Sequence, residues 1–303
     1  MTLQAKDLGV EFRDRPRSEA LAEAVTVYEK HGCFLAKGLL SDKDLGPTRR
    51  GVSDLIKAQL GRVDCSAARS RSGPTRFDDG IVELARADRS SVGRIFDACR
   101  RLLPVHEVSV DQRLIAISEA MMNTGAIAAS DIKALRIDLP GEQKYLFDWH
   151  QDFPYVMDSL DAVVFWIPLQ DVDETNGALR VAPGTHKLGL QKLTVDDPDN
   201  EQNNKQKVMH IADLSFLDRF PQLDMCVAYG DALVFSTLLM HASGPNRSDR
   251  ARFTLQVRFG NFLHPYAIEK GWPGSMRDGS IFHKIHPEYV VAQSSPPQLQ
   301  RAS

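Results

Sequence analysis

The second half of the sequence is a series of short β-strand patterns separated by turn signals, and this pattern constrains the fold most. From about residue 133 the apolar residues are mainly β-branched or aromatic, and clusters of Gly, Pro, Asn and Asp interrupt them. Strands joined by short turns are typical of antiparallel sandwiches and barrels. We expect strands within KALRIDL (133–139), DAVVFWIPL (161–169), GALRVA (177–182), DALVFST (231–237) and RFTLQVRFGNF (252–262).

The last of these segments has one apolar and one polar face, because alternate side chains of a strand point to opposite sides of its sheet. The apolar face consists of Phe253, Leu255, Val257 and Phe259. The polar face consists of Arg252, Thr254, Gln256 and Arg258. A wholly polar face on such a strand borders either solvent or a functional cavity.

The first 130 residues have mostly helical patterns, so the chain combines a helical part with a β-rich part. Helices are predicted over 18–32, 41–60, 91–103 and 118–130, with a polar loop over 62–80. We expect a single domain over residues 1–292 and a disordered tail over 293–303. Its parts are a helix-rich region (1–130), a barrel core (about 131–262) and a C-terminal segment (263–292).

Composition and charge exclude several classes of partner. The net charge of −3 gives no electrostatic basis for binding nucleic acid or an anionic membrane. No apolar run approaches the roughly 20 residues of a membrane span, and the N-terminus has no signal-peptide pattern. The four cysteines are far apart and form no C-x-x-C pair. We therefore expect a reduced, cytoplasmic location; the sequence makes no prediction of oligomeric state.

The segment YLFDWHQDFPY (145–155) contains the first candidate metal ligands, His150 and Asp152. If the segment is a strand, side chains at i and i+2 point the same way, so both reach one ion. Two histidines and one carboxylate form the triad of non-haem Fe(II) oxygenases, which leaves coordination positions open. The pair alone is weak evidence, since polar residues alternate with apolar ones on any half-buried strand.

A third candidate ligand is His241, which ends the strand pattern DALVFSTLLMH and precedes a turn-rich segment. Arg252 follows eleven residues later on the polar face of the next strand. An arginine there suits the far carboxylate of 2-oxoglutarate, because its guanidinium binds carboxylates through two hydrogen bonds. Ser243 offers a hydroxyl to the same carboxylate. In the alternative interpretation, His241 is a turn cap and Arg252 a solvated strand residue.

With these residues the chain resembles the phytanoyl-CoA dioxygenase (PhyH) family, a branch of the Fe(II)- and 2-oxoglutarate-dependent oxygenases. The likeness extends from about residue 20 to 262. Its motifs are WHQD (149–152), NGALRVAPGTHKLG (176–189) and GDALVFSTLLMHASGPNRSDRARF (230–253), with a fainter match in HGCFLAKGLLSDKDL (31–45). The resemblance implies a mostly β fold, the double-stranded β-helix or jelly-roll (cupin-like) barrel, with N-terminal helices.

The resemblance also implies roles for individual residues. His150, Asp152 and His241 correspond to the iron ligands, while Arg252 and Ser243 correspond to the residues that bind the distal carboxylate of 2-oxoglutarate. Trp166 corresponds to a tryptophan beside the cosubstrate. A polar residue from the strand before H-x-D completes the family site, and here either Arg136 or Gln143 is available. The implied cofactors are Fe(II), 2-oxoglutarate and O2.

Other residues near the motif have two interpretations each. Asp148 is either a rival ligand or an acceptor for the His150 N–H. Phe153 and its aromatic neighbours shape a substrate pocket or belong to the core. Arg258 is, like Arg136, a candidate substrate contact: it either receives an anionic group of the substrate, or lies past the rim in solvent or pairs with a surface acid. His186, His283 and His286 are interpreted as structural or surface residues.

The predicted function is the hydroxylation of an unactivated C–H bond of a small molecule, with release of succinate and CO2. Related halogenases replace the aspartate of the triad with a small residue, so Asp152 favours hydroxylation or another oxidation over halogenation. Two alternatives remain: a cupin-like, non-redox isomerase or hydrolase, and a non-catalytic binding protein on the same fold. The sequence does not identify the substrate.

Overall fold

A computed structural model of the chain describes residues 3–63, 76–130, 134–195, 209–274 and 281–291. The α-helices of these residues are α1 (Arg17–His31), α2 (Asp42–Leu60), α3 (Ile81–Ala87), α4 (Arg89–Cys99), α5 (Leu103–Ser109), α6 (Gln112–Met122), α7 (Phe153–Val156), α8 (Pro265–Glu269) and α9 (Phe282–Ile285). The strands are β1 (Gly9–Glu11), β2 (Cys33–Lys37), β3 (Ile127–Ala129), β4 (Ala134–Asp138), β5 (Val163–Pro168), β6 (Leu179–Val181), β7 (Leu193–Val195), β8 (Met209–Ile211), β9 (Leu223–Met225), β10 (Ala232–Ser236), β11 (His241–Ala242) and β12 (Arg252–Asn261).

The strands form a jelly-roll barrel of two main sheets. The large sheet has the order β1-β2-β10-β5-β12-β3, and β4 also pairs with β12. The small sheet has the order β11-β6-β9, and β7 pairs with β8 separately. Apart from the parallel pair β1 and β2, the paired strands are antiparallel. The antiparallel sandwich or barrel expected from the strand patterns, and the jelly roll that the family resemblance implies, are therefore confirmed.

The large sheet separates two apolar cores. Its outer face, with Phe165 of β5 and Val234 of β10, packs against the helices through residues such as Ile56. Its inner face, with Trp166 and Phe235, packs against the small sheet inside the barrel. Adjacent residues of one strand thus belong to different cores, as the two-residue period of a strand requires.

The polar face of β12 lines the interior of the barrel and not its outer surface. The apolar face of the strand belongs to the helix-facing core. On the other face, Arg252, Thr254 and Arg258 are 1%, 0% and 8% exposed. Of the two surroundings that the sequence left open for this face, the structure rules out solvent for these three residues, which are buried in the barrel interior.

Two helix predictions are wrong in part. The predicted helix over 118–130 ends at Met122, because Asn123 adopts the left-handed conformation typical of a helix C-terminus. Residues Ile127–Ala129 beyond it form strand β3 against β12. The predicted helix over 91–103 ends at Cys99, and a new helix begins at Leu103, where a proline occupies its first turn.

Of the predicted loop over 62–80, the structure describes positions 62–63 and 76–80, and the rest lies outside the described residues. The predicted tail over 293–303 also lies outside them. In the parts of the chain that the structure describes, no helix combines the length and apolarity needed to cross a lipid bilayer.

Candidate active site

The structure brings His150, Asp152 and His241 together inside the barrel. One ligand atom from each lies within 4.8 Å of the others, and among the described residues this is the one such cluster of three. Asp152 Oδ1 is 3.6 Å from His150 Nε2 and 3.5 Å from His241 Nε2. Three donors at this spacing face a common point, which suits a single divalent ion.

Two short elements, and not one regular strand, position the triad. His150 and His241 face each other in an antiparallel bridge, with N–H to carbonyl hydrogen bonds of 2.9 and 3.0 Å. His241 opens β11, whereas the preceding strand already ends at Ser236. Asp152 has helical backbone angles (φ −75, ψ −26) and precedes α7. The expected strand geometry is therefore wrong for Asp152, whose carboxylate is turned towards His150 by the start of a helix.

Hydrogen bonds fix the tautomer of both histidines. His150 Nδ1 is 2.8 Å from the main-chain carbonyl of Asp148, and His241 Nδ1 is 3.0 Å from that of Leu239. A carbonyl only accepts, so each Nδ1 carries the proton and each Nε2 presents its lone pair to the site. Asp148 thus acts as the acceptor through its main chain, while its side chain is exposed.

The charges of the triad are those of a metal site. Burial and the neighbouring His241 lower the pKa of His150 to about 4, which keeps it neutral at physiological pH. Burial opposes ionisation of Asp152, but the Arg258 guanidinium beside it holds its pKa well below the usual range. Neutral imidazole and ionised carboxylate are the ligand forms that bind a divalent ion.

Arg252 lies in the barrel interior beside Trp166, with its guanidinium carbon 5.6 Å from the indole ring. Its Nη2 donates to Asp138 Oδ2 at 2.7 Å, and its Nη1 donates to the carbonyl of Gly177. Asp138 is directly opposite Arg252 in the β4–β12 register. Sequence reasoning missed Asp138, although its position two residues after Arg136 put both on one face of a predicted strand.

Of the two residues considered before the H-x-D motif, Arg136 is the one connected to Arg252. Its Nη2 donates to Asp138 Oδ1 at 2.7 Å, so one carboxylate binds both guanidinium groups. Burial opposes ionisation of Asp138, but the two arginines hold its pKa below the usual range. Gln143 instead lines a pocket of about 250 Å³ with residues such as Pro245 and Arg247.

The polar face of β12 contains buried atoms without a hydrogen-bond partner. These atoms are Arg252 Nε and Thr254 Oγ1. Most buried polar groups are paired, so two such atoms on one face of β12 in the barrel interior indicate a place for a polar ligand. Ser243 Oγ accepts a hydrogen bond from the Phe147 N–H at 3.1 Å, which leaves its own proton to donate. Thr254 was not singled out from the sequence.

The Arg258 guanidinium is paired with Asp152 of the triad. Its Nε and Nη2 are each 2.8 Å from Asp152 Oδ2, and Nη2 also donates to Gln256 Oε1 at 3.0 Å. Neither solvent nor a surface acid surrounds Arg258: its partner is Asp152, a buried candidate metal ligand. The expected contact with an anionic substrate loses its structural support.

The aromatic residues around the triad divide between the site and the core. The rings of Phe147 and Tyr155 lie 5.0 and 6.2 Å from that of His150. Phe153 is fully buried and packs edge-on against Tyr266, so the structure places this candidate substrate contact in the core. The structural interpretation suits His186 and His286, which bond to the Glu29 carbonyl and the Tyr266 hydroxyl.

Comparisons with known proteins identify a family and agree with this fold. The family model for phytanoyl-CoA dioxygenase (PhyH) matches residues 28–254. Peroxisomal phytanoyl-CoA dioxygenase of Rattus norvegicus is 26% identical over 254 residues, which cover 80% of this chain and 69% of that protein. L-proline trans-4-hydroxylase of Streptomyces griseoviridis is 22% identical over 299 residues, which cover 92% of this chain and 96% of that enzyme.

A solved structure supports the fold independently. The non-haem alpha ketoglutarate dependent epimerase SnoN from nogalamycin biosynthesis superposes with a TM-score of 0.53 at 16% sequence identity. The superposition covers 86% of this chain and 92% of SnoN. At this identity the likeness establishes the shared fold.

Proposed function

The chain belongs to the phytanoyl-CoA dioxygenase family, whose members are Fe(II)- and 2-oxoglutarate-dependent oxygenases, and on that premise we propose that it hydroxylates an unactivated C–H bond of a small molecule. The observation that carries the proposal is the triad: two imidazoles with Nε2 free of protons and one ionised carboxylate face a common point. Asp152 keeps the carboxylate in this triad, which favours hydroxylation over halogenation.

The residues present fit an Fe(II) ion. His150 Nε2, His241 Nε2 and Asp152 Oδ1 would hold it, as a set of nitrogen and oxygen ligands that suits first-row divalent metals. When bound with 2-oxoglutarate and O2, iron supplies the oxidising power for C–H hydroxylation, with succinate and CO2 as coproducts.

The inner wall of β12 would bind the far carboxylate of 2-oxoglutarate. Arg252 Nε and Thr254 Oγ1 are the buried atoms without a partner on this wall. Arg136 and Arg252 contribute two positive charges and Asp138 one negative charge, which leaves a net charge of +1 for a carboxylate. Trp166 packs against the Arg252 guanidinium and keeps water from one side of it.

The phenyl ring of Phe147 and the phenol ring of Tyr155 would shield the reacting centre from water. The two rings are 6.0 Å apart, edge to face, and both lie beside His150. An apolar wall next to the ligands suits the C–H bond of a small-molecule substrate.

The experiment is aerobic turnover with Fe(II) and 2-oxoglutarate against a panel that begins with free amino acids and acyl-CoA thioesters. We expect succinate in equal amount to a product that contains one additional oxygen atom, labelled when ¹⁸O2 is used. His241→Ala should abolish both products. A product with an unchanged oxygen count, such as an epimer or a new ring, would refute hydroxylation while leaving the oxygenase class intact.

The alternative of a non-redox isomerase or hydrolase has less support. A metal site alone gives no role to the unpaired, buried polar atoms of Arg252 and Thr254 on the inner face of β12. Turnover with Zn(II) in place of Fe(II), without consumption of 2-oxoglutarate, would favour that alternative. Failure of the folded protein to bind any divalent metal would favour a non-catalytic protein.

A further inference from the structure

The two oxygens of the Asp152 carboxylate have different partners. Oδ1 faces the two imidazole nitrogens at 3.5 and 3.6 Å. Oδ2 accepts from Arg258 Nε and lies equally close to Arg258 Nη2, both at 2.8 Å. The side chains of Asp152 and Arg258 are 7% and 8% exposed, so solvent screens the pair little.

Strand β12 holds the Arg258 guanidinium beside Asp152. Arg258 is opposite Val164 in the β5–β12 register and points into the barrel, as Arg252 does. Gln256, two residues before it on the same face, accepts from Nη2 at 3.0 Å. The guanidinium therefore connects β12 to the start of α7 with a planar set of donors that a lysine could not reproduce.

We propose that Arg258 is a positioning residue that restricts Asp152 to a one-oxygen metal ligand by holding Oδ2. The inference rests on the proposed iron site. A carboxylate binds a metal through one or both oxygens, and the Nε hydrogen bond together with the Nη2 ion pair at Oδ2 leaves Oδ1 as the free donor. Two histidines and one oxygen then keep the remaining coordination positions of the ion available for other ligands.

The same ion pair prepares the site before a metal arrives. A buried carboxylate without a counter-charge is strongly unfavourable, and Arg258 supplies that charge in the metal-free protein. The carboxylate is thereby held ionised and oriented, instead of rotating to find a partner. Partners behind metal ligands typically change metal affinity or activity by about 10–100-fold when removed.

The test uses Co(II), whose visible spectrum reports the number and kind of ligands, in the absence of 2-oxoglutarate and substrate. We expect Arg258→Met to change the Co(II) spectrum and to weaken Co(II) binding, measured against a chelator, by about 10–100-fold. Arg258→Lys, which restores one donor, should give an intermediate affinity. The matched control is Arg250→Met, which breaks the pair with Asp78 at 2.6 and 3.1 Å outside the triad and should keep the wild-type spectrum.

Chemical rescue tests the same contact in a second way. In Asp152→Gly the lost carboxylate can be replaced by added formate, and Arg258 remains to hold it. We expect formate to strengthen Co(II) binding in Asp152→Gly and to have no such effect in the double variant Asp152→Gly/Arg258→Met. If Arg258→Met does not fold, as thermal unfolding would show, Arg258→Lys and the rescue of Asp152→Gly decide the question.

The outcomes separate this inference from the proposed function. A wild-type spectrum and affinity in folded Arg258→Met would overturn the positioning role alone. A higher KM for substrate with unchanged Co(II) spectrum would assign Arg258 to substrate binding and also overturn it. Absence of Co(II) and Fe(II) binding in the folded wild type would overturn the proposed function together with the inference.

Discussion

Replacing Asp138 with asparagine removes the charge that two guanidinium groups share. Asp138 accepts from Arg136 and Arg252 at 2.7 Å each, and its side chain is 4% exposed. Breaking a buried ion pair by removing one partner costs about 3–5 kcal/mol. We expect Asp138→Asn to lower the free energy of unfolding in urea by that amount, which is roughly 5–8 °C in Tm for a chain of this length.

The control is the same chemical change at an exposed pair. Asp54 lies 3.8 Å from Lys57, and both side chains are at least 70% exposed, so Asp54→Asn should cost less than about 1 kcal/mol. Equal free energies of unfolding of Asp138→Asn and Asp54→Asn would refute the reasoning. The buried network around Asp138 would then contribute no stabilisation that could hold Arg252 in place.

Three further changes test the site. In the metal-free protein His150 has a pKa of about 4 instead of 6.5, so the unfolded state binds the proton first as the pH falls. About 3 kcal/mol of stability contributed by neutral His150 is therefore lost between pH 6.5 and pH 4. His150→Asn should flatten the plot of the free energy of unfolding in urea against pH in this range, and an unchanged slope would contradict the shift. Gly177→Ala puts a methyl group 2.9 Å from Arg252 Nη1 at a φ of +100. It should raise the Kd of 2-oxoglutarate about tenfold, or about 1.4 kcal/mol. An unchanged Kd by titration would show that Arg252 does not bind the cosubstrate. Arg136→Gln should weaken 2-oxoglutarate binding by a similar factor, while Gln143→Ala should leave it unchanged. A higher Kd in Gln143→Ala and an unchanged Kd in Arg136→Gln would instead identify Gln143 as the residue that contacts 2-oxoglutarate.

The sequence predicts the architecture where a strand is long and its period clear. The two-residue alternation of β12 predicts one apolar and one polar face, and the structure has the apolar face in the helix-facing core and the polar face in the barrel interior. Strands of three residues, such as β3, give too few positions for a period to show. The predicted helix over 118–130 was wrong for this reason, since its second half contains β3 and the sequence offered no sign of its pairing with β12.

The candidate site could be predicted as a set of residue types but not as a geometry. His150, Asp152 and His241 were named together, and the structure brings them together. The contacts of Asp152 depend on Arg258, which is 106 residues away in sequence, and those of Arg252 depend on the register between β4 and β12. Such pairings follow from strand order, which local patterns do not contain.

The most direct measurement is an anaerobic titration of the Fe(II)-loaded protein with 2-oxoglutarate, which follows the weak visible charge-transfer band of the chelate. We expect the band in the wild type, and in Arg252→Lys only at much higher 2-oxoglutarate, because an ammonium group cannot reproduce the guanidinium contacts. No band in the folded, iron-loaded wild type would contradict the assignment of this site to iron and 2-oxoglutarate.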